Sequence, residues 1–171
     1  MMKKLMRNQW DEFQRAIAAM YDNALPRDIA NAILTWLRRY PETFSNGPFS
    51  DYSFDRFLSL QEEDYPIEVS RMRDAEFINF KKIIKKYSAE DAESIARFLR
   101  DTLETLVVLM VDKQCPICEA WEMGIYKNSE DQRIAFECRQ CGFANYLDGA
   151  KVGTKKLTFA LTEDLHEAGF I

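Results

Sequence analysis

The chain has 171 residues, 47% of them hydrophobic and 30% charged, with a formal net charge of −5 and a single histidine. That is globular composition, enough for one or two domains with a buried core. The longest purely apolar run, Leu106 to Val111, is far short of the ~20 residues a membrane-spanning helix needs, so no membrane partner is expected. Acids exceed bases on both sides of Cys115, 19 against 17 before it and 9 against 6 after it. This argues against general phosphate binding and fits a basic partner.

The opening "MMKKLMRNQW" has two lysines but no apolar h-region behind them. It predicts no secretory signal and a cytoplasmic, reducing location, where Cys-x-x-Cys pairs favour metal over disulfides. The first 111 residues read mainly as helix. Asn8 is a candidate cap for a helix whose apolar residues Trp10, Phe13, Ile17, Met20 and Tyr21 share one face. Pro26 breaks the pattern. It resumes through Ile29, Ile33, Trp36, Leu37 and Tyr40 and stops before Pro41, predicting a helical hairpin.

Residues 41–66, "PETFSNGPFSDYSFDRFLSLQEEDYP", carry a turn signal at Asn46-Gly47-Pro48 and at most one short helix, around Phe54–Leu60. A third long helix is expected from Ser70 to Tyr87, with Met72, Phe77, Phe80, Ile83 and Ile84 inward. Ser88 opens another through the capping-box-like "SAED", whose inward positions Ile95, Phe98, Leu99, Leu103, Leu106 and Met110 hold helical spacing. Beyond Cys115 the period changes. "AWEMGIY" and "QRIAFE", separated by "KNSED", predict a β-hairpin, and "FANYL" a further strand. "KLTFAL" alternates, and Thr162 and Gly169 bracket a short final helix.

All four cysteines lie in "CPICEAWEMGIYKNSEDQRIAFECRQCG". A Cys-x-x-Cys turn brings two sulfurs to one ion, and zinc takes four tetrahedral thiolates at about 2.3 Å. Cys115, Cys118, Cys138 and Cys141 form two such knuckles. Their spacer, Glu119 to Glu137, has the length of a two-knuckle site, and Gly142 permits the positive φ expected after the second. Residues 112–148 thus resemble the zinc-ribbon fold group, a resemblance that implies a structural four-cysteine site and leaves the job open. Glu119 stands where glycine is common after the first knuckle, which weakens a rubredoxin-like iron reading. One structural Zn2+ per chain is expected, with iron or a redox dithiol as alternatives.

Other candidates stand beside plainer readings. Lys81, Lys82, Lys85 and Lys86 in "KKIIKK" could meet phosphate or anionic lipid, or be a solvated face, which the neighbouring carboxylates favour. Asp51, Tyr52, Phe54, Asp55, Glu62, Glu63, Asp64 and Tyr65 interleave rings with carboxylates. They suit a surface for a basic protein, the rings as anchors and the acids as steering charge, or else rings capping the core. His166, in the final helix, fits a charge interaction with the helix end. No Gly-rich phosphate loop or Ser elbow is present, and no enzyme is expected.

The expected fold is α+β, with a mainly helical domain over 1–111 and a small β zinc ribbon with a strand–helix tail over 112–171. The expected function is a non-enzymatic acidic module that masks a basic partner. In composition and size it is similar to immunity or antitoxin inhibitors of toxic nucleases. The alternative is a nucleic-acid-binding zinc-ribbon regulator.

Overall fold

The computed structural model describes residues 4–153 and 156–171. Contacts divide the chain into two units. The first is the chain up to Glu62 together with Met72–Leu106; the second is Glu63–Arg71 together with Val107–Ile171. Helices fill the first and an antiparallel sheet the second, an α+β fold.

In the first unit, α1 (Arg7–Ala19) buries Trp10, Phe13 and Ile17, and α2 (Pro26–Arg39) buries Ile29, Ala30, Ile33, Leu34, Trp36 and Leu37. Asn8 is not the cap. Met6 occupies that position and its N–H is taken by the Gln9 side chain at 2.9 Å. Because α1 ends at Ala19, Tyr21 leaves the inward face and is exposed. Pro26 sits in the first turn of α2, where its missing N–H costs nothing. Trp36 stacks on Phe13 at 4.2 Å between centroids, and a run of edge contacts continues through Phe44, Phe49, Phe54 and Phe57. Residues 41–60 are therefore core wall, built from α3 (Pro41–Phe44), α4 (Asp55–Leu58) and single turns.

The third long helix is shorter than the sequence predicts. As α5 it runs Asp74–Ile84. Ser70 and Arg73 have extended backbone, and the Glu76 carboxylate takes the Arg73 N–H at 3.2 Å, which fixes the start. At the far end Gln14 donates to the Ile84 and Tyr87 carbonyls at 2.9 and 3.1 Å, and Trp10 Nε1 donates to Tyr87 at 2.8 Å. Those carbonyls are satisfied from α1, not by another helical turn. The Asp91 carboxylate accepts the Ser88 N–H at 2.8 Å, as the "SAED" pattern predicts, and leads into α6 (Ala92–Val107). Met110 lies beyond α6 and belongs to a strand.

In the second unit the strands are β1 (Met110–Val111), β2 (Met123–Asn128), β3 (Ile134–Cys138), β4 (Ala144–Tyr146) and β5 (Leu157–Phe159). The order is β1-β2-β3-β4, and β5 shares the β1 edge of β2, pairing with its last three residues. Met123 faces Cys138, and Ile125 faces Phe136. That face forms a core with Cys115, Ala160 and Leu165, the last from α7 (Thr162–Glu167). The opposite face carries Gly124, Tyr126 and Asn128. A methyl on Gly124 would come within 2.9 Å of both Val108 and Tyr126, so bare backbone is what fits there. Leu161, not Thr162, caps α7, giving its N–H to Asp164 at 2.9 Å, and Gly169 closes the tail at φ 78°. No described helix is long and apolar enough to cross a membrane.

Candidate metal centre

The two Cys-x-x-Cys turns are built alike. Cys115 follows β1, and its N–H donates to Ala120 O at 2.8 Å while its carbonyl accepts from Glu119 N at 3.0 Å. Cys138 ends β3; its N–H donates to Phe143 O at 2.8 Å and its carbonyl accepts from Gly142 N at 2.9 Å. The residue four places after each first cysteine is left-handed, Glu119 at φ 63° and Gly142 at φ 73°. Glu119 thus takes the conformation glycine usually supplies, a cost for any side chain with a Cβ.

These turns aim four sulfurs at one point. Cys115 Sγ lies 3.6 Å from Cys141 Sγ, Cys118 Sγ lies 3.5 Å from Cys138 Sγ, and all four fall within 4.8 Å of one another. A disulfide needs about 2.05 Å. The edge of a tetrahedron with 2.3 Å metal–sulfur bonds is about 3.8 Å. The sulfurs are spaced for an ion and the cysteines are free. Cys115 and Cys138 are buried on the sheet core, Cys118 is half-buried and Cys141 faces solvent.

The electrostatics point the same way. Burial opposes a charge on Cys115, but the Cys118 and Ile117 N–H groups aimed at its sulfur outweigh that and bring the thiol down to about 7. At Cys141 the Phe143 N–H favours the thiolate, yet desolvation and the three neighbouring sulfurs push it up to about 12. One sulfur ionises readily while Cys118 and Cys141 resist joining it, as expected of thiolates crowded together without a cation. A divalent ion bound here releases protons and has four protein ligands, with no position left for substrate.

The partner-surface residues are divided between the two units. Asp51, Tyr52, Phe54, Asp55 and Glu62 belong to the first unit; Glu63, Asp64 and Tyr65 belong to the second. Phe54 is fully buried between Phe49 and Phe57, so it is a core residue and not an anchor. Glu62 is engaged by Arg38 at 2.8 Å; desolvation works against its charge, but that guanidinium holds its carboxyl below the usual range. Tyr52 gives its hydroxyl to Glu93 and lies under Arg100, 4.9 Å from the ring centre. Tyr65 packs edge-on against Phe159. Asp51, Asp55, Glu63 and Asp64 are exposed and form no ion pair among the described residues. Of the lysines, Lys81 is bound to Asp22 and the Met20 carbonyl, whereas Lys82, Lys85 and Lys86 are exposed. His166 Nδ1 meets the Ile171 carbonyl at 2.9 Å, a local tie at the helix end.

Sequence reasoning passed over three features. Arg71 holds Asp112 and Glu122 at 2.6 Å each, tying both flanks of the first knuckle. At the other end of the hairpin, buried Asn128 donates to Tyr146 Oη at 2.6 Å, which donates to Asp131 at 2.8 Å. Asp131 also accepts the Arg133 N–H, and that bond, more than the phenol, keeps its carboxyl below the ordinary range. Trp121, beside the first knuckle, is 62% exposed. The Asx pattern "NSED" was the available signal for the turn network; nothing local marks Arg71.

No protein-family model matches the chain, and no solved structure matches it. The centre is zinc-ribbon-like in its sulfur set and strand placement.

Proposed function

We propose that the four sulfurs hold one Zn2+ as a structural clasp, and that the protein is a non-enzymatic module whose acidic surface masks a basic protein partner. The clasp reading is supported by four sulfurs within 4.8 Å of one another, a donor set that zinc fills with thiolate alone. The observation that carries the binding reading is the set of exposed carboxylates with no cation partner among the described residues, Asp51 and Asp55 in the first unit and Glu63 and Asp64 in the second. Unspent acids of this kind are free to desolvate against Lys and Arg of another protein and to steer its approach. Among proteins with such a partner, an inhibitor of a toxic nuclease has the right chemistry. Its acids would occupy the cleft that otherwise takes nucleic-acid phosphates.

The test is affinity capture from the native cell, nuclease-treated throughout, comparing the wild-type protein with Asp51→Asn/Asp55→Asn/Glu63→Gln/Asp64→Asn. A basic protein should be retained by the first, eluted by salt, and lost from the second. Retention of the same protein by both, with the same salt dependence, would sink the proposed surface.

A further inference from the structure

The net charge conceals a local excess of the opposite sign. Arg15 and Lys85 line one groove with Asp11 and Gln14. An adjoining groove shares Asp11, Gln14 and Lys85 and adds Arg7 and Glu90. The two side-chain bonds from Gln14 to the end of α5 are what place Lys85 against α1. Lys82, in the last turn of α5, and Lys86, just past its end, are the neighbouring cations in the chain, and all five are exposed. Two carboxylates oppose them. Asp11 lies 3.8 Å from Arg7, but the two side chains are 50% and 92% exposed, a pairing that a stronger anion can displace. Glu90 stands at the rim.

We propose that this face, formed by α1 and the C-terminal end of α5, binds the phosphate backbone of a nucleic-acid duplex through Arg7, Arg15, Lys82, Lys85 and Lys86. Lysines at a helix C-terminus also offset the helix dipole, which would explain Lys85 and Lys86 by themselves. It does not explain Arg7 and Arg15, which come from another helix. Eight residues apart on α1, they span ~12 Å. Over that length one strand of a duplex presents about three phosphates. The duplex is favoured over a single strand because the two rings that line the second groove, Trp10 and Tyr87, are engaged inward and leave little face on which to stack a base. Trp10 is buried and gives its N–H to Tyr87 O, and Tyr87 itself is turned against Phe98. Contacts of this kind read no sequence.

The inference is independent of the acidic surface proposed above, and the test keeps them apart. Anisotropy of a labelled 20-base-pair DNA is followed with the zinc-loaded full chain at 50 and 200 mM KCl. Five cations less two carboxylates leave a net of three. Binding should be micromolar at the lower salt and weaken about 40-fold at the higher, a logarithmic slope near −2.7. Arg15→Gln/Lys85→Gln, both exposed and far from the core, should bring the slope to about −0.9 and weaken binding at least 10-fold at low salt. Asp51→Asn/Asp55→Asn should leave both quantities unchanged. The proposal is overturned by no binding at ~100 µM protein in 50 mM KCl, or by a slope unmoved in Arg15→Gln/Lys85→Gln. Equal competition by polyglutamate of the same total charge, or tighter binding of the single strand, overturns it as well.

Discussion

The two knuckles offer an internal experiment. They share hydrogen-bond pattern and handedness, yet the left-handed position holds glutamate in one and glycine in the other. An L-residue at that φ costs about 1–2 kcal/mol, and glycine's extra freedom in the unfolded chain returns roughly 0.5–1 of it. Glu119→Gly should therefore stabilise the zinc-bound fold by about 0.5–1 kcal/mol. Nothing else is lost with the side chain, which is exposed and makes no hydrogen bond among the described residues; the Glu119 carbonyl, which accepts from Gln114 at 3.3 Å, stays. Gly142→Ala is the mirror case. A Cβ there meets nothing within 4 Å, so the whole cost is backbone conformation, about 1 kcal/mol. Metal binding and folding of this segment are linked, so each change should appear as a shift of up to fivefold in zinc affinity by chelator competition. The shifts should be of opposite sign. If Glu119→Gly weakened zinc binding, or Gly142→Ala strengthened it, positive φ would not be the governing term at these turns.

Three further outcomes follow from the same structure. Elemental analysis should return one zinc per chain, and chelation should lower amide protection at the Met123–Cys138 end of β2 and β3 while α1 and α2 keep theirs, because the sulfurs sit at that end of the small β core. Phe54→Ala should cost about 3–5 kcal/mol in denaturant unfolding of the helical unit, the price of emptying a fully buried ring site. Asp131 has its carboxyl held below the usual range, so its contribution is present above about pH 4 and lost as pH falls through the folded value. Asp131→Asn should reduce stability at pH 7 and narrow its gap to wild type as pH is lowered through that window, measured by hydrogen exchange of the hairpin turn.

The elements with strong periodicity are legible: α1, α2 and α6 follow their apolar stripes, β4 falls inside its segment, and β2 and β3 overlap theirs, β2 running on through Lys127 and Asn128 of the expected turn and β3 through Cys138. The clustering of the four sulfurs is legible because two knuckles at that spacing admit few other arrangements. The failures have physical causes. α5 was read too long because Met72 is buried without being helical, and Arg73 and Glu76 start the helix later. Phe54 stands as an anchor candidate beside a core-capping reading because rings among acids look the same in sequence whether they line a core or face a partner. Only the aromatic run from Phe13 to Phe57 separates the two. Arg7 and Arg15 were passed over because their relation to Lys85 depends on Gln14, a tertiary contact with no local signature.

A strand pair of five or six residues is prone to slip, and slipping β3 by one place against β2 would turn every side chain to the wrong face. Here that slip is opposed at both ends. It would carry Cys138 from beside Met123 to the opposite face, away from the other three sulfurs. At the turn it would part Asn128 from Tyr146 on β4, leaving a buried amide donor without its acceptor at a cost of about 1–3 kcal/mol. The metal and the amide therefore specify one register independently. Removing zinc should loosen the Cys138 end of the hairpin first and leave the Asn128 end native-like. Asn128→Ala with zinc bound should do the reverse. A metal held by the four sulfurs would then have a structural task, the register of the hairpin, that accounts for all four cysteines.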